Sequence, residues 1–265
     1  MKQFVKSIFK SFGYDLVRHQ PVGRVQPRNS QKTDRLTLHE TATGKYYLPT
    51  DVYQDVVANT IINNGIFEED VVNCARQYIK PGTTVLDVGC NFGQMSILFS
   101  KMTGPSGKVY SFDADDFVFE VFKKNVAVNE CNNIQPVFGA VHNQQGATLY
   151  FPDQDFKKFS AYGSYGIDYN TSQGREVKAI TIDSLDIQTR VSFMKIDIQG
   201  GDLLAMKGAI NTIRKNKMPI LFEFEYQLQD EFKLDFQEYV DFVLEIGYKF
   251  ERIIYGYNFL VVPKN

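Results

Sequence analysis

Neither charge sign dominates this chain of 265 residues: 29 Lys and Arg stand against 31 Asp and Glu, a formal net charge of −2. There is no basic field for a phosphate backbone, which argues against nucleic acid as a partner. Cysteine is scarce as well. Cys74, Cys90 and Cys131 are odd in number, widely spaced and without a CxxC pair, so neither a disulfide framework nor a zinc site is indicated, and a reducing cytoplasm fits best. No apolar run reaches the roughly 18 residues of a membrane span. What remains is 43% hydrophobic and 23% charged, an ordinary globular balance with enough apolar material for one substantial core.

The first 18 residues place Phe4, Val5, Ile8, Phe9 and Phe12 at helical spacing with Lys2, Lys6 and Lys10 between them. A short basic amphipathic helix follows. Packing on its own domain or on a second subunit is the preferred reading; peripheral contact with an anionic membrane, at its inner face, is the other. Oligomeric state is not encoded legibly. Residues 20–50 read as an irregular or hairpin-forming arm, so 1–60 forms an N-terminal helix and arm ahead of a main domain at 61–265. Helical patterns cover Asp51 to Asn63 and Glu68 to Ile79, the second ended by Pro81-Gly82.

Beyond these the chain alternates. "TVLDV", "KVYSFD", "IQPVFGAV", "FMKIDI" and "PILFEFE" are apolar strands, with helices predicted after Gly93, from Asp116 to Glu130, from Asp202 to Asn216 and from Leu234 to Ile246. Such strands between helices predict an α/β fold, a mostly parallel sheet with helices on both faces. "YKFERI" and "FLVVPK" are joined closely enough for a hairpin, which makes the last strand antiparallel. One stretch breaks the rhythm: an insertion at about 153–176, rich in Gly, Ser and Tyr, reads either as a loop closing over a substrate or as a disordered hairpin insertion.

The first strand runs into "VLDVGCNFGQ", which puts Asp87 at the strand end and Gly89 and Gly93 around Cys90, Asn91 and Phe92. A dinucleotide fingerprint asks for G-x-G-x-x-G, and only Gly89 of the three positions matches. An acid would repel a pyrophosphate at the following helix N-terminus. It suits a ligand carrying positive charge there, as S-adenosylmethionine does through its sulfonium and amino group. In an open sheet, ligands sit outside the carboxyl ends of the strands. Those ends supply Asp113 and Ala114, then Ala140, Val141 and His142, then Asp197 and Gln199 to Asp202, then Glu223 and Glu225. Asp113 is placed to take both hydroxyls of a ribose. Asp116 is the expected cap of its helix, and Asp202 reads equally as a cap or a catalyst.

Together "VLDVGCNFGQMSILFS", "KNVAVNE", "VKAITIDSL", "FMKIDIQGGDLLAMKGA", "PILFEFE", "GYKFERI" and "FLVVP" resemble, in order and spacing, the FkbM-type S-adenosylmethionine-dependent methyltransferases, over about residue 60 to the end. The resemblance implies a class I, Rossmann-like seven-stranded fold, cofactor held by Asp87 through Gly93 and by Asp113, and a site around Asp197. It further implies methylation of a hydroxyl, often of a sugar in a surface glycan or of a secondary metabolite. The usual I-D-x-E-G-x-E pattern stands here as Ile196-Asp197-Ile198-Gln199-Gly200-Gly201-Asp202, with glutamine for the first glutamate. Asp113-Ala114 stands where relatives commonly have glutamate and proline.

A hydroxyl acceptor must lose its proton, which calls for a general base within about 3 Å of its oxygen or a divalent metal. Asp197, His142 and Glu223 are the candidate catalytic residues, in that order. His142 has a suitable unperturbed pKa, about 6.5, and also the setting of an ordinary loop histidine. Asp197 is equally placed to contact the donor's amino group or ribose, and Glu223 or Glu225 to bind Lys195 structurally. Asp197, Asp202 and Glu223 offer oxygen ligands to magnesium, but no spacing demands a metal and none is predicted. The rival readings are an N-methyltransferase acting on a small molecule or nucleic acid, a nicotinamide-dependent oxidoreductase, and a non-catalytic cofactor-binding scaffold.

Overall fold

The computed structural model describes residues 36–50, 55–151, 161–163, 166–167, 171–226, 235–254 and 256–264. The amphipathic helix expected in the first 18 residues and most of the 153–176 insertion lie outside them.

The chain opens on a hairpin, β1 (Leu36–Glu40) and β2 (Lys45–Pro49), followed by α1 (Val56–Ile62) and α2 (Glu69–Tyr78). Alternation then sets in with β3 (Thr84–Val88), α3 (Gln94–Thr103), β4 (Lys108–Asp113), α4 (Asp116–Val128) and β5 (Ile134–Phe138). Next come β6 (Ala140–Val141), β7 (Thr148–Phe151), β8 (Arg175–Ile180), β9 (Val191–Ile196), α5 (Asp202–Lys207), α6 (Ile210–Asn216), β10 (Ile220–Glu223), α7 (Phe236–Glu245), β11 (Tyr248–Ile254) and β12 (Asn258–Pro263).

Seven strands form one sheet in the order β11-β12-β10-β9-β3-β4-β5, with β12 antiparallel to both of its neighbours. This is the class I methyltransferase architecture with its C-terminal antiparallel hairpin. Its strands alternate between two cores because successive side chains point to opposite faces. Leu86, Val88, Met194, Ile196 and Phe222 pack against α5, α6 and α7, while Val85, Val109, Phe193 and Leu221 pack against α2, α3 and α4. Phe222 is fully buried between Tyr239 of α7 and Phe259 of β12, with ring centroids 5.3 and 5.6 Å away. Burial of such a ring stabilises the sheet by about 2–3 kcal/mol.

The arm is fastened to this body by side-chain amides. Asn125 and Asn129, one turn apart on α4, serve β2 as a second ladder: Asn125 exchanges hydrogen bonds with Tyr47 N and O, and Asn129 with Lys45 N and O. Asn125 also donates to Phe92 O at 2.9 Å, tying the hairpin to the glycine turn.

Three sequence expectations need correction. "IQPVFGAV" is not one strand: Gly139 breaks it, and β6 leaves to join a small sheet β6-β8-β7. The helix expected over Asp202 to Asn216 is two, because it breaks at Gly208, where a Cβ would overlap the His142 carbonyl oxygen. The cap of α4 is Asp115 rather than Asp116; Asp115 has the extended backbone a cap requires, and its carboxylate accepts from Val118 N at 2.8 Å.

Candidate active site

From β3 the chain builds outward through β4 to β5, then returns to add β9 and β10 on the other side, so the strand order reverses between β3 and β9. A crevice opens outside the strand ends at such a switch point. Its floor is the turn after β3. Gly89, Asn91 and Gly93 all take positive φ, at 81, 49 and 88°. Gly89 and Cys90 both donate to Phe112 O, which binds the turn to the end of β4. Gly89 cannot be replaced on steric grounds either, since a Cβ there would overlap the carbonyl oxygen of Asp197.

Asp113 ends β4 beside this turn. Its two carboxylate oxygens accept from Asn91 N at 3.0 Å and Asp115 N at 2.9 Å, which fixes the plane of the group. Burial pushes its pKa up to about 7. Each oxygen keeps acceptor capacity toward the crevice, as a vicinal diol requires.

The crevice is a cavity of about 430 Å³, within the range of small-ligand sites. Gly89, Cys90, Asn91, Phe92, Gly93, Asp113, Ala114, Ala140 and Val141 line it, together with Asp197, Gln199, Glu223 and Glu225. Three sequence candidates, Asp87, His142 and Asp202, are not on its wall. Asp87 is fully buried behind the turn, accepting from Ser96 Oγ at 2.5 Å and lying 3.9 Å from Lys195 Nζ. Burial raises its pKa, against the pull of Lys195. Asp87 therefore acts on the cavity through Lys195 and not directly. His142 is turned away at the end of β6, where its Nδ1 accepts from Gln144 N at 3.1 Å and its backbone packs on Gly208. Burial lowers its pKa.

The acidic end is organised by Lys195, a residue the sequence reading treated only as an ion-pair partner for Glu223 or Glu225. Its Nζ reaches instead to Gly89 O at 2.9 Å and Asp197 Oδ2 at 3.3 Å. Burial alone would lower its pKa, but Asp197, Asp87 and Glu68 hold it above the ordinary lysine value. The spacing of Lys195 and Asp197, two apart, carries part of the signal, whereas the register that sets Lys195 beside Asp87 belongs to the sheet.

Gln199, at φ 50°, turns its amide onto two carboxyl groups, with Nε2 3.3 Å from Asp197 Oδ1 and 2.9 Å from Glu223 Oε2. Burial and the nearby Asp197 push Glu223 up to about 11, so it carries a proton at neutral pH. Asp202 is fully buried below, and its Oδ1 accepts from Glu223 N at 3.1 Å. It is the first residue of α5 and does not cap it; the cap position is Gly201. Glu68, which no sequence pattern singled out, also lines the cavity, accepting from Asn258 Nδ2 at 3.0 Å. Among the described residues no group of three or more His, Cys, Asp or Glu is arranged to hold a metal.

From the insertion, Ala161, Tyr162, Gly163, Gly166 and Ile167 line the cavity. The donor set fits S-adenosylmethionine: the fixed Asp113 carboxylate suits a ribose, and the carboxylate-rich wall of Asp197, Glu223 and Glu225 suits a cationic methionine portion. Among the described residues no helix is long and apolar enough to cross a membrane.

A family model described as the methyltransferase FkbM domain matches residues 87–250. Ribosomal protein L11 methyltransferase of Acetivibrio thermocellus is 34% identical over 65 residues, 24% of this chain and 20% of that protein. Demethylmenaquinone methyltransferase of Symbiobacterium thermophilum is 31% identical over 84 residues, 31% of each. The chain thus aligns with less than a third of the length of these curated relatives. Among solved structures, a methyltransferase FkbM from Methylobacillus flagellatus superposes with a TM-score of 0.45 at 13% identity, covering 72% of this chain and 49% of that one. The M. jannaschii protein TYW2, solved in complex with AdoMet, gives a TM-score of 0.42 at 14% identity over 88% of this chain and 85% of that one. With the family model spanning more than half of its length, from the acid of the glycine turn into β11, this chain belongs to the FkbM methyltransferase family.

Proposed function

We propose that this protein is an S-adenosylmethionine-dependent O-methyltransferase whose acceptor is a hydroxyl, of a sugar in a surface glycan or of a secondary metabolite. The observation that carries the reading is that one cavity is lined both by an Asp113 carboxylate locked by two backbone N–H groups and by the Asp197 carboxylate. The cofactor supplies a methyl group already activated by the sulfonium. What the chain has to add is alignment of donor and acceptor and an exit for the acceptor's proton.

Asp197 is the residue placed to receive that proton. Lys195 and Gln199 orient its carboxylate, each through one oxygen. Glu223 holds a proton in the free protein and is disposed to donate a hydrogen bond to the acceptor instead. His142 has no part in this reading, since it does not line the cavity.

Calorimetric titration with S-adenosylhomocysteine, with NAD in parallel, tests the cofactor. Binding of the first alone, weakened about 10- to 100-fold by Asp113→Ala, is the expected result. Preference for NAD would sink the proposal. Labelled methyl transfer to a panel of glycosides and amines then tests the acceptor. The crowding of acids around Asp197 favours one second reading, transfer to an amine, and labelling of amines alone would establish it. Turnover on any acceptor would exclude a purely scaffolding role.

A further inference from the structure

Tyr162 comes from the long connection between β7 and β8, far in sequence from every motif of the site, yet it lines the cavity. Its ring is stacked on Phe117 at 5.4 Å with an interplanar angle of 29°, and set edge-on to Phe92 of the glycine turn at 5.7 Å and 63°. Phe117 lies four residues beyond Asp113, in the first turn of α4. The next residue, Gly163, passes close against the Asn91 side chain, and Asn91 N is one of the two donors that hold Asp113. Gly163 thus abuts one of the two residues that fix the Asp113 carboxylate, and Tyr162, 8% exposed, packs on Phe92 and Phe117 beside them.

What holds this segment down is a buried acid on another element. Asp55, 1% exposed, caps α1 by accepting from Ala58 N with Oδ1 at 2.7 Å, and accepts from Tyr162 N with Oδ2, also at 2.7 Å. One carboxylate thus serves a helix end and a loop at once. Two such bonds to a buried charged acceptor bring together segments 107 residues apart in sequence. A cap alone would need only one oxygen.

We propose that Tyr162, held by Asp55, is a cofactor-binding residue that roofs the nucleoside end of the cavity above Asp113 and slows release of the bound nucleoside. The proposal rests on the cofactor reading above. An aromatic face against a nucleoside adds stacking to the hydrogen bonds made from below. The roof also excludes water from the carboxylate that takes the ribose, which strengthens those bonds.

The test is S-adenosylhomocysteine binding, by calorimetry and stopped-flow dissociation, to the full chain and to Tyr162→Phe, Tyr162→Leu and Asp55→Asn. Leucine keeps apolar bulk without a ring. Asparagine remains a good cap for α1 but presents an N–H group to Tyr162 N or loses the Ala58 bond. Expected are near wild-type affinity for Tyr162→Phe, and roughly tenfold weaker binding with faster dissociation for the other two. Thermal unfolding of the ligand-free variants separates the two contributions: the proposal requires that the loss of affinity exceed what their ligand-free stability accounts for. Unchanged affinity and dissociation in both Tyr162→Leu and Asp55→Asn, with the wild type binding normally, would overturn the proposal alone. Absence of binding by the wild type would overturn the cofactor reading and this proposal with it.

Discussion

The amide of Gln199 stands 2.9 Å from the carboxyl of Glu223 and 3.3 Å from that of Asp197, so one neutral donor serves two acids that also interact with each other. A neutral amide at this position adds no further charge to the cluster. Among the described residues Lys195 is the buried cation that Asp87 and Asp197 share, so a further ionised carboxyl would be repelled by Asp197. Gln199→Glu is expected to match wild-type stability near pH 4 and to lose progressively more as pH rises to 8, because the new acid has a raised folded-state pKa. Thermal unfolding from pH 4 to 8 checks this; a pH-independent difference would refute it.

Glu223 obeys the same linkage. Its folded pKa, about 11, lies above its unfolded value, so its proton is retained on folding, and the stability this contributes is complete below about pH 4 and declines as pH rises toward 11. Glu223→Gln removes the titration while keeping the shape. The variant should gain at least about 1 kcal/mol on the wild type between pH 5 and pH 8, read as diverging melting temperatures.

Lys195 is the cation on which Asp87, Asp197 and the Gly89 carbonyl converge. Lys195→Met leaves the buried Asp87 and the partly buried Asp197 without their cation, a change that costs about 3 kcal/mol. Denaturant unfolding should show that loss, together with loss of S-adenosylhomocysteine binding because the glycine turn is no longer tied to β9.

Asp113, with a pKa of about 7 in the free protein, accepts two ribose hydroxyls only when ionised. Affinity for S-adenosylhomocysteine should therefore tighten as pH rises from 6 to 8 and level off above. A flat profile in the wild type would remove Asp113 from the ribose.

Asn125→Ala should cost about 2–3 kcal/mol, since it leaves Tyr47 N, Tyr47 O and Phe92 O without their partner. His142→Gln, by contrast, should leave cofactor affinity unchanged within error. A tenfold loss there would mean that the β6 end takes part after all.

The extent to which the site was legible depends on how far its residues are apart in the chain. Gly89, Asn91, Gly93 and Asp113 announce themselves locally, because a strand-end acid and a positive-φ turn are properties of a few consecutive residues. Asp87 was read correctly as a strand-end acid but placed on the wrong side of the turn: period-2 alternation sends it into the core with Val85, toward Ser96. His142, one residue beyond β6, stands off the wall that Ala140 and Val141 line, with its Nδ1 accepting from Gln144 N.

By itself the sequence determined the alternating strand and helix order, the antiparallel closing hairpin and the glycine turn, all of which follow from hydrophobic period and short-range backbone constraints. Only the tertiary structure decided which charges meet. Lys195 pairs with Asp87 because β9 lies beside β3 in register, Gln199 reaches Glu223 because β10 lies beside β9, and Tyr162 reaches Asp55 across 107 residues. Those neighbours are set by strand order and long-range packing, and no local spacing in the chain encodes either.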